Sequence, residues 1–172
     1  MKTRPMDGVT LIELVVSLSV LAILLGIAAP AFSNLIDREQ ANSGSKDLFR
    51  ALQYARGQAI QRGQTISICG GATACATQGD WRQLLIFHDT DGDGTLGEGD
   101  EVLRSMSLPK GYHWNWRNFR SQSHMTFLPT GFTHSLNGTF TLCKEGKALS
   151  RIVVNAAGRS RIESTGDSAR CL

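Results

Sequence analysis

Charge is missing where most folded chains carry it. From Leu14 to Phe32 this 172-residue sequence has no Asp, Glu, Lys or Arg. The run is long enough for the roughly 20 apolar residues that cross a bilayer as a helix. Its far end also lacks a clear small-residue cleavage pattern, which argues against a conventional secretory signal that is cut away. Paired histidines are lacking too. His88, His113, His124 and His134 are scattered, and none has the spacing of a metal pair or of a Cys-His nucleophile. No enzyme and no cofactor are therefore expected. Repeats and low-complexity linkers are absent, and 18 Lys+Arg against 15 Asp+Glu is too mild a bias to name a partner.

What is present begins with Lys2 and Arg4 in a short polar leader, which flags the cytoplasmic side of the membrane. Glu13 lies just inside the apolar stretch, where a carboxylate is costly and needs a cation. Gly8-Val9-Thr10-Leu11-Ile12-Glu13-Leu14 resembles the class III signal of type IV pilins and type II secretion pseudopilins, with Val9 where the family usually has Phe. The resemblance implies cleavage by prepilin peptidase between Gly8 and Val9 and methylation of the new N-terminus. It also implies that Glu13 meets a neighbouring subunit's terminal amine during assembly.

Past Pro30, which is expected to kink the helix, the sequence turns amphipathic. Leu35, Leu48, Leu52, Ala55 and Ala59 share one helical face. Gly44 is a weak spot, costing about 1 kcal/mol against Ala, and Gly63 reads as the C-terminal stop. After Gly63 the period changes to two. Strands are expected at 65–69, 84–87, 102–106, 112–116, 139–143 and 152–154, separated by Gly, Pro, Asn and Asp. The fold class is α+β: a long N-terminal helix, transmembrane in its front half, packed on an antiparallel β domain. The expected divisions are 1–8 leader, 9–32 transmembrane and assembly helix, 33–63 amphipathic continuation and 64–172 β domain. Trp81, the Phe87–Arg104 hairpin and a closing Gly-Arg-Ser-Arg hairpin resemble the GspH/FimT branch of the pilin family.

Four cysteines in a domain beyond the cytoplasmic membrane point to disulfides rather than metal, and four allow three pairings. Cys69 and Cys75 are close and bracket a Gly-Gly-Ala-Thr-Ala loop. Cys143 would then take Cys171, tying the C-terminus to a strand.

Three stretches carry candidate chemistry. In Gly158-Arg159-Ser160-Arg161, Gly158 suits a tight turn. If Arg159 and Arg161 lie on an extended strand, they share a face about 6.6 Å apart, within reach of neighbouring phosphates. The stretch resembles a Gly-Arg-x-Arg motif of FimT-type minor pilins, which implies DNA binding during natural transformation. Lys144, Lys147 and Arg151 are expected to widen the basic surface. Tyr112 to Arg120 mixes bases with aromatics, but the alternation of Tyr112, Trp114 and Trp116 favours a buried strand face over base stacking. Asp89, Asp91 and Asp93, with Asp100 at the twelfth position, echo a calcium loop without its closing Glu or flanking helices. Hairpin chemistry explains that turn better.

The resemblance implies a minor type IV pilin that binds DNA non-specifically and assists its uptake. Its partners would be other pilins through the helix, prepilin peptidase, DNA and the bacterial inner membrane. The chain would be single-pass with a periplasmic C-terminal domain, and later part of a pilus at the cell surface. A structural tip subunit priming pilus assembly, or a pseudopilin of type II secretion, is the alternative.

Overall fold

The computed structural model describes residues 10–76, 81–165 and 170–171, apart from the side chains at 30, 31 and 34. The Gly8–Val9 junction lies outside the described residues. One helix, α1 (Leu11–Arg62), is followed by eight strands: β1 (Ile66–Gly70), β2 (Gln83–His88), β3 (Glu101–Ser107), β4 (Tyr112–Asn118), β5 (His124–Phe127), β6 (Gly138–Lys144), β7 (Lys147–Val154) and β8 (Ser160–Ser164). Contacts divide the chain into residues 1–39 and a compact unit of residues 40–172.

In the first unit the apolar side chains of α1, from Leu11 through Ile27, are exposed. The segment Leu11–Ala29 is long and apolar enough to cross a membrane. Thr10 starts the helix: the Glu13 backbone N–H donates to its hydroxyl at 3.4 Å, the first half of a capping arrangement. The helix assignment is unbroken at position 30.

In the second unit α1 buries Ala41, Leu48, Ala51, Leu52, Ala55 and Ala59, a stripe at helical spacing. Leu35, placed on that face by the sequence pattern, is instead exposed. Gly44 gains a reason for its cost. A Cβ there would stand 3.2 Å from Leu108 Cδ2, so the missing side chain permits close packing of the helix on the strands. Gly63, at φ 64°, ends the helix, and the Gln64 N–H returns to the Ala59 carbonyl at 3.2 Å.

The β domain is two four-stranded antiparallel sheets rather than one. Their orders are β3-β2-β1-β5 and β4-β6-β7-β8. Both contribute to one core with the helix stripe: Ile66, Ile68, Leu84, Ile86, Met125 and Phe127 from the first, Tyr112, Trp114, Trp116, Phe140, Leu142 and Ile152 from the second. Trp116 stacks on Phe140 with centroids 4.1 Å apart, and Trp81 meets the same ring edge-on. The alternating aromatics of β4 are thus core, as their period implies. Cys69 is bonded to Cys75 and Cys143 to Cys171. The second bond holds the C-terminus on the second sheet, where the Cys171 N–H donates to the Gly146 carbonyl at 3.0 Å.

Candidate nucleic-acid interface

The β7–β8 connection is a closed turn. Asn155 N–H donates to the Arg159 carbonyl at 3.0 Å, and Gly158 N–H to the Asn155 carbonyl at 2.9 Å. The Asn155 side-chain oxygen accepts the Arg159 N–H at 2.9 Å. Gly158 is buried at φ 74°, a conformation that favours glycine. A Cβ there would collide with the Gly131 carbonyl and stand 3.0 Å from Arg56 Nε. Arg56 Nε in turn donates to that carbonyl at 3.1 Å, and Thr133 N–H holds the Ala156 carbonyl at 3.1 Å. The backbone beneath Arg159 is therefore fixed by helix and loop, while its side chain is exposed.

Arg159 sits in the turn, one residue before β8, so the condition of a shared extended strand with Arg161 is not met. Arg161 is on the strand and faces outward. Alternation along each strand puts Arg161 and Glu163 of β8, Arg151 and Val153 of β7, Thr139 and Thr141 of β6, and Asn115 and Arg117 of β4 on the face away from the core. Most of these, with Arg170, line an open groove of about 290 Å³. Glu163 is its acid: it pairs with Arg161 at 2.7 Å and stands opposite Arg151 in register. The pair is exposed, which keeps its energy near the 0–1 kcal/mol of surface bridges.

Lys144 and Lys147 do not join Arg159. They face each other across the β6–β7 turn, at the far end of the eight-residue β7, roughly 23 Å away at 3.3 Å per residue. Lys144 lies over the Tyr112 ring at 5.1 Å. Lys144 stands opposite the core residue Tyr112, so the basic residues of the open face are Arg117, Arg151, Arg161 and Arg170 rather than one cluster with the lysines.

The acidic loop is built differently. Asp89, Asp91 and Asp93 each bring a carboxylate oxygen within 4.8 Å of the others. Asp89 is buried and fully engaged: Ser67 Oγ donates to it at 2.6 Å, Gly92 N–H at 2.8 Å and Gly94 N–H at 3.0 Å. The hydroxyl and backbone N–H of Thr95 hold the Asp93 carboxyl below its ordinary value. Asp100 stands apart. Burial alone would raise its pKa, but the backbone N–H groups of Gly97 and Thr90 outweigh this and leave it lowered. These hydrogen bonds by themselves account for the loop's shape. His124 packs its ring over Gly94. Burial depresses its pKa, opposed by Asp89 and Asp93 and reinforced by Arg120.

An apolar helix of membrane-crossing length, followed by a helix-packed two-sheet domain closed by disulfides, defines a type IV pilin-like subunit. The family model described as type II transport protein GspH matches residues 45–158, and the prokaryotic N-terminal methylation motif matches residues 4–29. The chain belongs to the GspH family. It is similar to the type IV minor pilin FimU of Pseudomonas aeruginosa strain PAO1, with 25% identity and a TM-score of 0.57 over 74% of this chain and 90% of that one. It shares the fold of the minor pseudopilin EpsH from the type 2 secretion system of Vibrio cholerae, at 16% identity and a TM-score of 0.54 over 74% of this chain and 99% of that one. No curated protein matches the sequence significantly. The family implies association with other pilins and with the prepilin peptidase. The apolar helix and these neighbours fit membrane anchoring with a periplasmic domain.

Proposed function

We propose that this chain is a minor type IV pilin that binds DNA non-specifically through the Gly158-Arg159-Ser160-Arg161 hairpin and assists DNA uptake at the cell surface. The observation that carries the reading is the braced turn. It presents Arg159 on fixed backbone, while Arg161 and Arg151 stand beside it on an open face of sheet. Arginines so placed can hold phosphates by charge-assisted hydrogen bonds. They position a polyanion without reading bases, so binding should be weak, on the order of 10⁻⁴ to 10⁻⁶ M, and salt-sensitive. In this reading cleavage falls after Gly8, Glu13 meets a neighbour's terminal amine, and the helix joins other pilins in the fibre.

The test is Arg159→Gln with Arg161→Gln in the full chain, measured by fluorescence anisotropy on labelled DNA and by transformation frequency. Both should fall sharply with the subunit still assembled. Unchanged binding and transformation would remove the hairpin from the reading. The likeness to FimU favours a second reading, a structural minor pilin that contacts other minor pilins. That reading takes over if the unmutated protein shows no salt-sensitive DNA binding.

A further inference from the structure

The second sheet brings a different loop to the same end as the arginine hairpin. Asn118 pairs with Gly138, Gly138 with Val154, and Val154 with Ser160. The β4–β5 turn therefore leaves the sheet at the end where the Asn155–Arg159 turn closes it. One row inward, Arg117, Thr139, Val153 and Arg161 stand side by side on the open face. Arg117 and Arg161 are three strand spacings apart, about 14 Å.

The turn itself is rigid and presents an aromatic ring to solvent. The Asn118 side-chain oxygen accepts the N–H groups of Arg120 and Gln122 at 3.1 Å each, and its amide donates to the Gln122 carbonyl at 2.7 Å. Ser121 N–H donates to the Asn118 carbonyl at 3.3 Å, and Phe119 N–H to the Asn137 carbonyl at 3.2 Å. Phe119 is 83% exposed, unlike Tyr112, Trp114 and Trp116 on the same stretch, which are core. Arg117 and Arg120 flank it, both exposed and without an ion pair among the described residues. The nearby acid is Asp93, across the cleft that Arg120 and His124 also line. A large apolar ring held out between two cations has no folding role that burial would reveal.

We propose that the Asn118–Gln122 turn is a second nucleic-acid contact, in which Phe119 stacks on an unpaired base while Arg117 and Arg120 hold the flanking phosphates, so that the protein favours single-stranded over duplex DNA. The inference rests on the DNA-binding reading and deepens it. Charge alone favours the duplex, whose charge density is higher, so a preference for a single strand needs a stacking ring and a base free of its pair. The braced turn matters because a pre-ordered ring loses little entropy on binding.

The experiment uses the full chain in detergent and three labelled probes: an oligothymidylate, an abasic oligomer of the same length and a duplex of that length, at one salt concentration. The wild-type protein should bind the oligothymidylate about 5-fold or more tightly than the abasic oligomer, as stacking of one base predicts. Phe119→Ala should erase that preference and leave duplex binding unchanged; Phe119→Trp should keep it. Wild-type binding to DNA with equal affinity for all three probes, or a Phe119→Ala variant that retains the preference, would overturn the inference while sparing the hairpin. Loss of pilus assembly in Phe119→Ala with all DNA binding intact would also overturn it and make the turn a pilin contact. No wild-type binding to any probe would defeat the DNA reading itself.

Discussion

The two sheets share one core and differ in what covers their other faces. Behind the first sheet, Cys69, Leu85 and Phe87 are buried under Cys75 and Leu96. The Cys69–Cys75 loop and the Asp89–Asp100 loop thus act as a lid. Behind the second sheet, among the described residues, a cover lies only at one end, where Cys171 is bonded to the buried Cys143. Its outer face carries Arg117, Thr139, Thr141, Arg151 and Arg161. One sheet is sealed for stability, and the other is half-sealed and left polar, as antiparallel sheets permit. The open face is the surface that stability does not need, and so the one free to make contacts.

Substitutions on the two outer faces should therefore have very different costs. Phe87→Ala on the covered face should cost about 3–5 kcal/mol, read as the denaturant midpoint of the full chain. Arg151→Ala or Thr141→Ala on the open face should stay within about 0.5 kcal/mol. Similar losses from both would mean that the second face is also structural. Next in size is the C-terminal bond. Cys143→Ser with Cys171→Ser opens a separation of 28 residues, for which chain entropy gives about 3.5 kcal/mol. Opening Cys69–Cys75, a separation of six, should cost about 2 kcal/mol by the same relation. A reversed order in melting temperature would show that the short loop holds the lid by packing rather than by closure.

The smallest stability effect concerns pH. The His124 pKa is lowered in the folded state, so the unfolded chain binds the proton more readily. Stability is then complete above the unfolded value near 6.5 and is lost as pH falls from there towards the folded value. Asp93 and Asp100, also lowered, add a loss only at more acid pH, below about 3.9. Between about pH 7.5 and 5.5 the melting temperature should drop, and His124→Gln should flatten that drop. An unchanged slope in the variant would place the titrating group elsewhere.

Much of this was legible in residue order because it is local. The uncharged run, Gly63 as a stop, the period of two and the burial of Tyr112, Trp114 and Trp116 all follow from neighbours in sequence. What was not legible depends on register. β5 is four residues long, His-Met-Thr-Phe, too short for alternation to declare it. The division into two sheets follows from β5 joining β1 while β4 joins β6, a choice no strand announces. Lys144 and Lys147 look close to Arg151 in sequence, yet strand length carries them away from Arg159. Arg117 looks distant and is brought into the row of Arg161. Phe119 was hidden for the opposite reason: the aromatics beside it are core, and only the end of β4 sets it outside.

If the open face of the second sheet holds phosphates through its arginines, DNA binding must depend on salt in proportion to their number. For duplex DNA, each neutralised phosphate contributes about −0.9 to the slope of log affinity against log salt concentration. Arg159→Gln with Arg161→Gln should therefore flatten the wild-type slope by about 2, with affinity reduced alike on any base sequence. A slope identical to wild type, at any affinity, would show that Arg159 and Arg161 hold no phosphates.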